Sequence, residues 1–286
     1  MRSMQGLRDS FGALVADGDR CDLGRAALEI ARLAYPDLDA GRYLGRLDDL
    51  AAAVRPRVEA APSPLEGVGA VSSYLFEECG FRGNTDDYYD PRNSFLNDVL
   101  ERRTGIPITL SVVLMETSAR LGLTVEGVPF PGHFLVRTSG TAGPILLDPF
   151  LGGRPVGRDE MLRRLRAFSS AGGGTPGADL QRVLPQVLQA TGPTGILGRM
   201  LANLLRIYLD RDEPTHALTT VELLLVLAPD VPEHLRVRGL LYERLDCLAT
   251  AAADFRRYLE LAPDGAHAAD VRSHLARLGN VAITLH

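Results

Sequence analysis

The sequence predicts an α+β domain followed by an all-helical repeat region. Apolar residues recur at helical spacing over most of residues 22–121, and three short segments rich in β-forming residues follow between 124 and 150. Helices followed by a group of strands are typical of an α+β domain. Farther along, the motif Leu-Ala-Pro-Asp at 227–230 recurs 34 residues later, and a fixed period of that length indicates stacked helical repeats.

The composition indicates a folded chain and argues against nucleic acid and membranes as partners. The 286 residues are 45% hydrophobic and 23% charged, the balance of an ordinary globular protein with room for two cores. A net charge of −5 argues against a nucleic-acid partner. No run approaches the roughly 20 apolar residues of a membrane span, and the first residues contain no apolar signal core. We therefore expect a cytoplasmic protein that does not contact a membrane.

The spacing of the cysteines and the absence of lysine argue against several kinds of functional site. Cys21, Cys79 and Cys247 lie far apart and form no C-x-x-C pair, so neither a disulfide framework nor a structural zinc site is indicated. All 31 positions that hold lysine or arginine are arginine, which excludes a Schiff-base lysine and a Walker A lysine. The aspartates near Asp90 lack the glycine and terminal glutamate of a calcium loop. We expect neither a metal nor a cofactor.

The predicted helices of the first domain are separated by proline and glycine breaks. In order, they are two helices within 22–58 divided at Tyr35-Pro36-Asp37, then 68–78, 93–103 and about 109–121. The third helix ends at Gly80, and Gly105-Ile106-Pro107 precedes the last one. The segment 81–90 is polar and aromatic without a clear period, and we interpret it as a loop of the kind that often carries function.

Three short antiparallel strands are predicted after these helices, followed by a short helix and a linker. The strands are 124–128, 133–137 and 144–150, the helix is 159–168, and the Gly/Ser/Pro-rich linker is 169–177. The predicted domain ranges are 1–170 for the α+β domain, 171–195 for a linker and connecting helix, and 196–286 for the helical repeats.

The repeat region has the features of tetratricopeptide-type helices. Each Leu-Ala-Pro-Asp copy follows an apolar run, at 221–227 and 255–261, and its proline breaks the helix. The 34-residue spacing is the tetratricopeptide period. Helical repeats commonly build extended recognition surfaces, so the expected partner is a protein or a peptide.

One histidine and one aspartate are the candidates for acid–base chemistry in the first domain. His133 is the only histidine in the first 195 residues, and Asp148 lies on the next predicted strand. Neighbouring strands could bring the two together, so that the carboxylate orients the imidazole. The helix after Pro107 offers hydroxyls and no thiol as a nucleophile. Spacing alone leaves Thr109 and Ser111 open, and Ser111 is the preferred candidate.

Polar and aromatic residues upstream complete the candidate site. Asn97 could donate an amide hydrogen bond to an oxyanion, and Asn93 lies one helical turn before it. Both asparagines could equally cap a helix or anchor the loop. Tyr88 and Tyr89 are expected to pack over the cleft, and Asp90 to cap the loop or to contribute to binding.

Four segments closely resemble the SirB1 family, and the likeness covers nearly the whole chain. They read DPRNSFLN at 90–97, ERRTGIPITLS at 101–111, FPGHFLVR at 130–137 and DPFLGG at 148–153. The resemblance implies a bacterial protein with a transglutaminase-like, papain-like domain followed by tetratricopeptide repeats. The wider transglutaminase-like superfamily uses a Cys, His, Asp triad. His133 and Asp148 match that triad, and Ser111 stands where the cysteine is expected.

Two functions follow from these residues. The first is a non-catalytic pseudoenzyme that binds a protein or peptide through its cleft and its repeat region, with His133 and Asp148 as a buried structural pair. The alternative is a serine-type hydrolase or acyltransferase that acts on an amide or ester. In it Ser111 attacks, His133 is the base, Asp148 orients the ring, and Asn97 or backbone amides hold the oxyanion.

Overall fold

The chain folds into two compact units. The computed structural model describes residues 4–140, 143–173 and 179–284. The larger unit is Leu14–Met200, and the repeat unit combines Met1–Ala13 with Leu201–His286. Residues 174–178, inside the predicted linker, and residues 285–286, inside the predicted repeat region, lie outside the described residues. The predicted domain ranges stay a prediction.

Helices dominate the first part of the chain, as predicted. They are α1 Met4–Val15, α2 Leu23–Ile30, α3 Ala40–Glu59, α4 Pro64–Ser73, α5 Leu96–Arg102 and α6 Pro107–Ala119. A π-helical turn, Tyr74–Glu78, extends α4 to the predicted stop, where Gly80 has a φ of +75° that glycine adopts readily. Helix α1 was not predicted. None of the described helices is long and apolar enough to cross a membrane.

A four-stranded antiparallel sheet follows α6. Its strands are β3 Glu126–Val128, β4 Leu135–Gly140, β5 Gly143–Asp148 and β6 Arg154–Pro155, in the order β3-β4-β5-β6. A separate parallel pair joins β1 Arg82–Gly83 to β2 Thr104–Gly105. The two-residue strands were not predicted, because two residues are too few to show a period. With the helices, this sheet confirms the α+β class.

The core of the larger unit lies on both sides of the sheet. Helix α6 is buried on every side over residues 107–114, and Leu110, Val112, Val113 and Leu114 are fully buried in it. On the other side, the helices α7 Arg158–Phe168 and α8 Leu180–Val187 contribute leucines to a cluster with residues of the sheet. This packing holds the ends of β4 and β5 in place between helices.

The C-terminal part of the repeat unit consists of consecutive helices, and each of the last four packs on its neighbour in the chain. Helix α9 Pro193–Asp210 enters it, followed by α10 Pro214–Leu227, α11 Pro232–Arg244, α12 Leu248–Leu261 and α13 Ala268–Thr284. Phe255 is fully buried between α11 and α12, and a Cβ on Gly239 would lie 2.6 Å from its ring. The buried Asp254 pairs with Arg238 at 2.7 Å. These two contacts fix how α11 crosses α12.

We predict that Gly239→Ala destabilises the repeat unit by about 1–3 kcal/mol, because the added methyl group overpacks the Phe255 ring. The matched control is Gly279→Ala in α13, where no atom lies within 4 Å of the added Cβ. That change should stabilise the helix by about 0.5–1 kcal/mol. Urea unfolding of both variants measures the difference, and equal free energies of unfolding would contradict the close approach.

Candidate functional site at His133 and Asp148

Two tight turns place His133 and Asp148 at neighbouring ends of strands. His133 precedes β4 by two residues, so the expectation that it starts a strand is corrected. Its turn contains Gly132, whose φ is +69°, and the His133 amide donates to Phe130 O at 2.9 Å. Asp148 is the last residue of β5 and caps the 3-10 turn Pro149–Leu151. Local backbone hydrogen bonds therefore hold both side chains.

The imidazole and the carboxylate form a close pair. His133 Nε2 lies 2.9 Å from Asp148 Oδ1 and 3.0 Å from Oδ2. Because an ionised carboxylate only accepts, this pairing assigns a proton to Nε2. Nδ1 is then the ring nitrogen left for a ligand, since no described residue hydrogen-bonds to it. The His133 side chain is 18% exposed, so solvent or a ligand reaches the ring.

Arg164 on α7 is a second side-chain donor to the same carboxylate. Its Nη1 donates to Asp148 Oδ2 at 2.8 Å, and its Nε donates to Glu160 at 2.8 Å. Burial disfavours the charged form of Asp148, which is only 1% exposed. Hydrogen bonds and charges from His133 and Arg164 outweigh that effect and hold the pKa of Asp148 below its ordinary value. Sequence reasoning missed Arg164, one of 31 arginines with no distinguishing spacing.

Arg199 on α9 fixes the turn that carries the imidazole. Its Nη2 donates to His133 O at 2.7 Å and to Phe130 O at 3.4 Å, and its guanidinium lies 5.8 Å from the Phe134 ring. Burial lowers the pKa of Arg199, and no described carboxylate pairs with it. The contact joins residues 66 positions apart in the chain, so no local pattern pointed to it.

An aromatic wall stands beside His133. The Phe150 ring meets the His133 ring edge to face at 5.9 Å and the Tyr88 ring at 6.1 Å. Tyr88 and Tyr89 are in edge contact at 5.3 Å, and both are substantially exposed. A Cβ on Gly83 would lie 2.5 Å from the Phe150 ring, so glycine is required there. The structure thus places Tyr88 against Phe150, which contacts the imidazole, and Tyr89 against Tyr88.

The two hydroxyl candidates lie inside the protein. Ser111 is the fifth residue of α6 and 0% exposed, and its Oγ donates to Pro107 O at 2.7 Å. Thr109 is equally buried, and its Oγ1 lies 2.7 Å from Asn93 O. Neither hydroxyl hydrogen-bonds to His133 in the described part of the chain. The structure therefore does not assemble Ser111, His133 and Asp148 into a triad, because Ser111 lies past the first turn of α6 and faces the helix backbone.

Asn93 and Asp90 anchor the loop that carries the tyrosines. Asn93 Nδ2 donates to Asp87 O at 2.7 Å and to Tyr88 O at 3.2 Å. The Asp90 carboxylate accepts from the Arg92 amide at 3.0 Å and pairs with two arginine side chains, so burial is outweighed and its pKa is lowered. Asn93 therefore holds the backbone at Tyr88, and Asp90 caps the turn Pro91–Asn93 that follows.

Asn97 lies elsewhere, and no metal-binding group is apparent. Asn97 lines a pocket between α5 and the segment that joins α2 to α3, and neither His133 nor Asp148 lines that pocket. No group of three or more His, Cys, Asp or Glu side chains in the described ranges is arranged to hold a metal ion. The expected absence of a metal and of a cofactor stays a prediction.

Comparison with known proteins establishes the family. Residues 41–202 match the transglutaminase-like superfamily, and residues 204–276 match the tetratricopeptide repeat. A UPF0162 protein of Xylella fastidiosa strain Temecula1 is 42% identical over 271 residues, which cover 94% of each chain. The chain belongs to the UPF0162 family of transglutaminase-like proteins. A second UPF0162 protein, from Vibrio cholerae, is 33% identical over 74% of this chain and 76% of its own.

Relatives extend beyond bacteria for part of the chain. The mouse F-box only protein 21 is 28% identical over 212 residues, which are 70% of this chain and 32% of the mouse protein. No solved structure matches this UPF0162 protein significantly. The transglutaminase-like domain and the tetratricopeptide region, both implied by the resemblance to SirB1, are confirmed.

We predict that Asp148→Asn destabilises this UPF0162 protein by about 1–3 kcal/mol at pH 7, because the charge-assisted hydrogen bonds of Asp148 to Arg164 and His133 are lost and Arg164 keeps only Glu160 as a counter-charge. The folded-state pKa of Asp148 is lowered, so its stabilisation is present above the unfolded pKa of about 3.9 and is lost as pH falls through the folded value. Urea unfolding should therefore show the gap between wild type and variant narrowing from about pH 5 downward.

The control for this prediction is Asp86→Asn, at an exposed aspartate in the loop 81–90 that carries Tyr88 and Tyr89. Its free energy of unfolding should stay within about 0.5 kcal/mol of wild type, as for most surface substitutions. A gap for Asp148→Asn that is the same at pH 7 and pH 3 would mean that the charge of Asp148 does not stabilise the fold.

Proposed function

We propose that this UPF0162 protein is a non-catalytic binding protein of the SirB1 type that holds a peptide or protein segment at the aromatic wall beside His133. The observation that carries the proposal is the hydroxyl of Ser111, which is fully buried and donates to Pro107 O. A nucleophile must face its substrate and a base, and this hydroxyl faces neither.

The charges around His133 also favour binding over acyl transfer. In a triad, the carboxylate is the counter-charge for the imidazolium that forms during the reaction. Here Arg164 already shares that carboxylate at 2.8 Å, so less negative charge is left to stabilise a protonated His133. The pair then works as a rigid anchor that orients the imidazole.

The exposed groups beside this anchor suit a peptide ligand. Tyr88 and Tyr89 offer large amphipathic surfaces of the kind that dominate protein interfaces, and His133 Nδ1 can accept a backbone N–H. Tetratricopeptide repeats add a second type of recognition surface to the same chain. Both features support a protein or a peptide as the partner.

The alternative is a serine-type hydrolase or acyltransferase, and the intact His133–Asp148 pair favours it. Catalysis by Ser111 would require its hydroxyl to leave Pro107 O and the start of α6 to open toward solvent. The geometry of the folded chain supports this alternative less well than binding.

The two functions are distinguished by one set of variants. We expect a fluorophosphonate probe to leave the wild type unlabelled, because the Ser111 hydroxyl is buried and donates to Pro107 O instead of facing a base. Peptides selected from a displayed library on the wild type should bind Ser111→Ala within about twofold and Tyr89→Ala at least about tenfold more weakly. Binding is measured by fluorescence anisotropy with the full chain.

Tyr89→Phe is the matched control, since it keeps the aromatic ring and should retain most of the affinity. Thermal unfolding of every variant shows whether the fold is intact. Fluorophosphonate labelling that disappears in Ser111→Ala would establish the hydrolase alternative and overturn the binding proposal.

A further inference from the structure

A pocket of about 540 Å³ lies beside α5 in the larger unit. One wall is the segment that joins α2 to α3 together with the start of α3, and the other is a face of α5. Its lining includes neither His133, Asp148, Arg164 nor Arg199, and it includes no residue of the loop 81–90 that carries Tyr88 and Tyr89. The inference drawn from this pocket therefore goes beyond the proposed function and does not depend on it.

Asp98 in the wall of this pocket is a buried carboxylate without an ion pair. It is 7% exposed, and its Oδ2 accepts one hydrogen bond, from the Tyr35 hydroxyl at 2.8 Å. No arginine or histidine nitrogen in the described ranges comes within 4 Å of its carboxylate, whereas the buried Asp90 pairs with two arginines and the buried Asp148 pairs with Arg164 and His133. Burial raises the pKa of Asp98, which reflects the cost of this unpaired charge.

Its neighbour Asn97 has an unmet acceptor in the same wall. Asn97 is 3% exposed, and no hydrogen-bond donor reaches its buried Oδ1. Buried polar side chains almost always have a partner in native proteins. Two successive residues with unmet oxygen acceptors at one pocket indicate that the missing partner is a ligand rich in N–H donors.

The remaining charges of the pocket favour a cation. The lining includes four carboxylates, those of Asp37, Asp39, Asp98 and Glu101, and one guanidinium, that of Arg42. Arg42 pairs with Glu101 at 3.5 Å and lies 5.4 Å from the Tyr43 ring, but its side chain is 65% exposed, so a ligand can displace it toward solvent. Arg92 and Arg102 also lie near Asp98 and offset part of its charge, but the charged groups that line the pocket are predominantly negative.

A guanidinium fits these acceptors better than an ammonium ion does. It presents five N–H donors in one plane and stacks on aromatic rings, whereas an ammonium is a compact point charge with three donors. The pocket offers the carboxylate of Asp98, the amide of Asn97 and the side chains of Tyr35 and Tyr43 in its lining. The Tyr43 hydroxyl is held by Glu101 at 2.7 Å, which orients that ring.

We propose that this pocket binds a guanidinium group, with Asp98 as its counter-charge and with the Asn97 amide turning its buried Oδ1 toward the ligand as a further acceptor. The group belongs either to a small arginine-like molecule or to an arginine side chain of a peptide. The shared chemistry is the planar, cationic set of donors.

Isothermal titration calorimetry with the full chain tests the proposal. The probes are N-acetyl-arginine amide, its lysine and citrulline counterparts, and the capped pentapeptide Ala-Ala-Arg-Ala-Ala. We expect saturable binding of the arginine probe, at least about tenfold weaker binding of the lysine probe and none of the uncharged citrulline probe. A pentapeptide that binds more tightly than the single residue assigns the source to a peptide, and equal affinities assign it to a small molecule.

Asp98→Asn should weaken binding of the arginine probe at least about tenfold while leaving the melting temperature unchanged or higher, since it removes an unpaired buried charge. Asn97→Ala should weaken binding of the arginine probe without changing the charge of the pocket. The matched control is Asp49→Asn, at an exposed aspartate of α3 outside the pocket lining, which should bind as the wild type does. Absent binding, equal affinity of Asp98→Asn and Asp49→Asn, or equal binding of arginine and lysine probes would overturn the proposal.

Discussion

The Asp148 carboxylate joins three parts of the larger unit. It accepts hydrogen bonds from His133, from the backbone amides of the turn Pro149–Leu151, and from Arg164 on α7. Because the side chain is buried and charged, the fold is stable only when these donors are in place together. The ring of His133 and the adjacent Phe150 are held by the same contacts. The aromatic wall that includes Tyr88 therefore depends on this one carboxylate.

The surroundings of the same carboxylate differ from those in a Cys, His, Asp triad. A triad needs a nucleophile at an exposed helix start and a carboxylate whose charge is reserved for the imidazole. In this chain Pro107 is the first residue of α6, and the hydroxyl of Ser111 donates a hydrogen bond to Pro107 O within the helix. Arg164 meanwhile neutralises part of the charge of Asp148. The transglutaminase-like framework remains, and its geometry is suited to holding a ligand.

Two buried aspartates of the larger unit show how hydrogen-bond and ionic partners change the pKa of a carboxylate. Asp148 has cationic and backbone donors on every side, so its charge stabilises the fold and its pKa is lowered. Asp98 is buried to a similar degree with one hydroxyl donor, and its pKa is raised. A buried carboxylate with a full set of hydrogen-bond donors holds the surrounding segments in place. A buried carboxylate without an ion pair, beside a cavity, favours the binding of a cationic ligand that pairs with it.

The sequence by itself determined the α+β class, the helical repeats and the nearness of His133 to Asp148. Those features depend on local periodicity and on neighbouring strands, which bring together residues 15 positions apart. Only the tertiary structure decided that Arg164 and Arg199 complete the site, that Ser111 is sealed, and that Asn97 faces another pocket. The rotation of each helix about its axis and the contacts between distant segments depend on packing of the whole unit, and no local pattern encodes them.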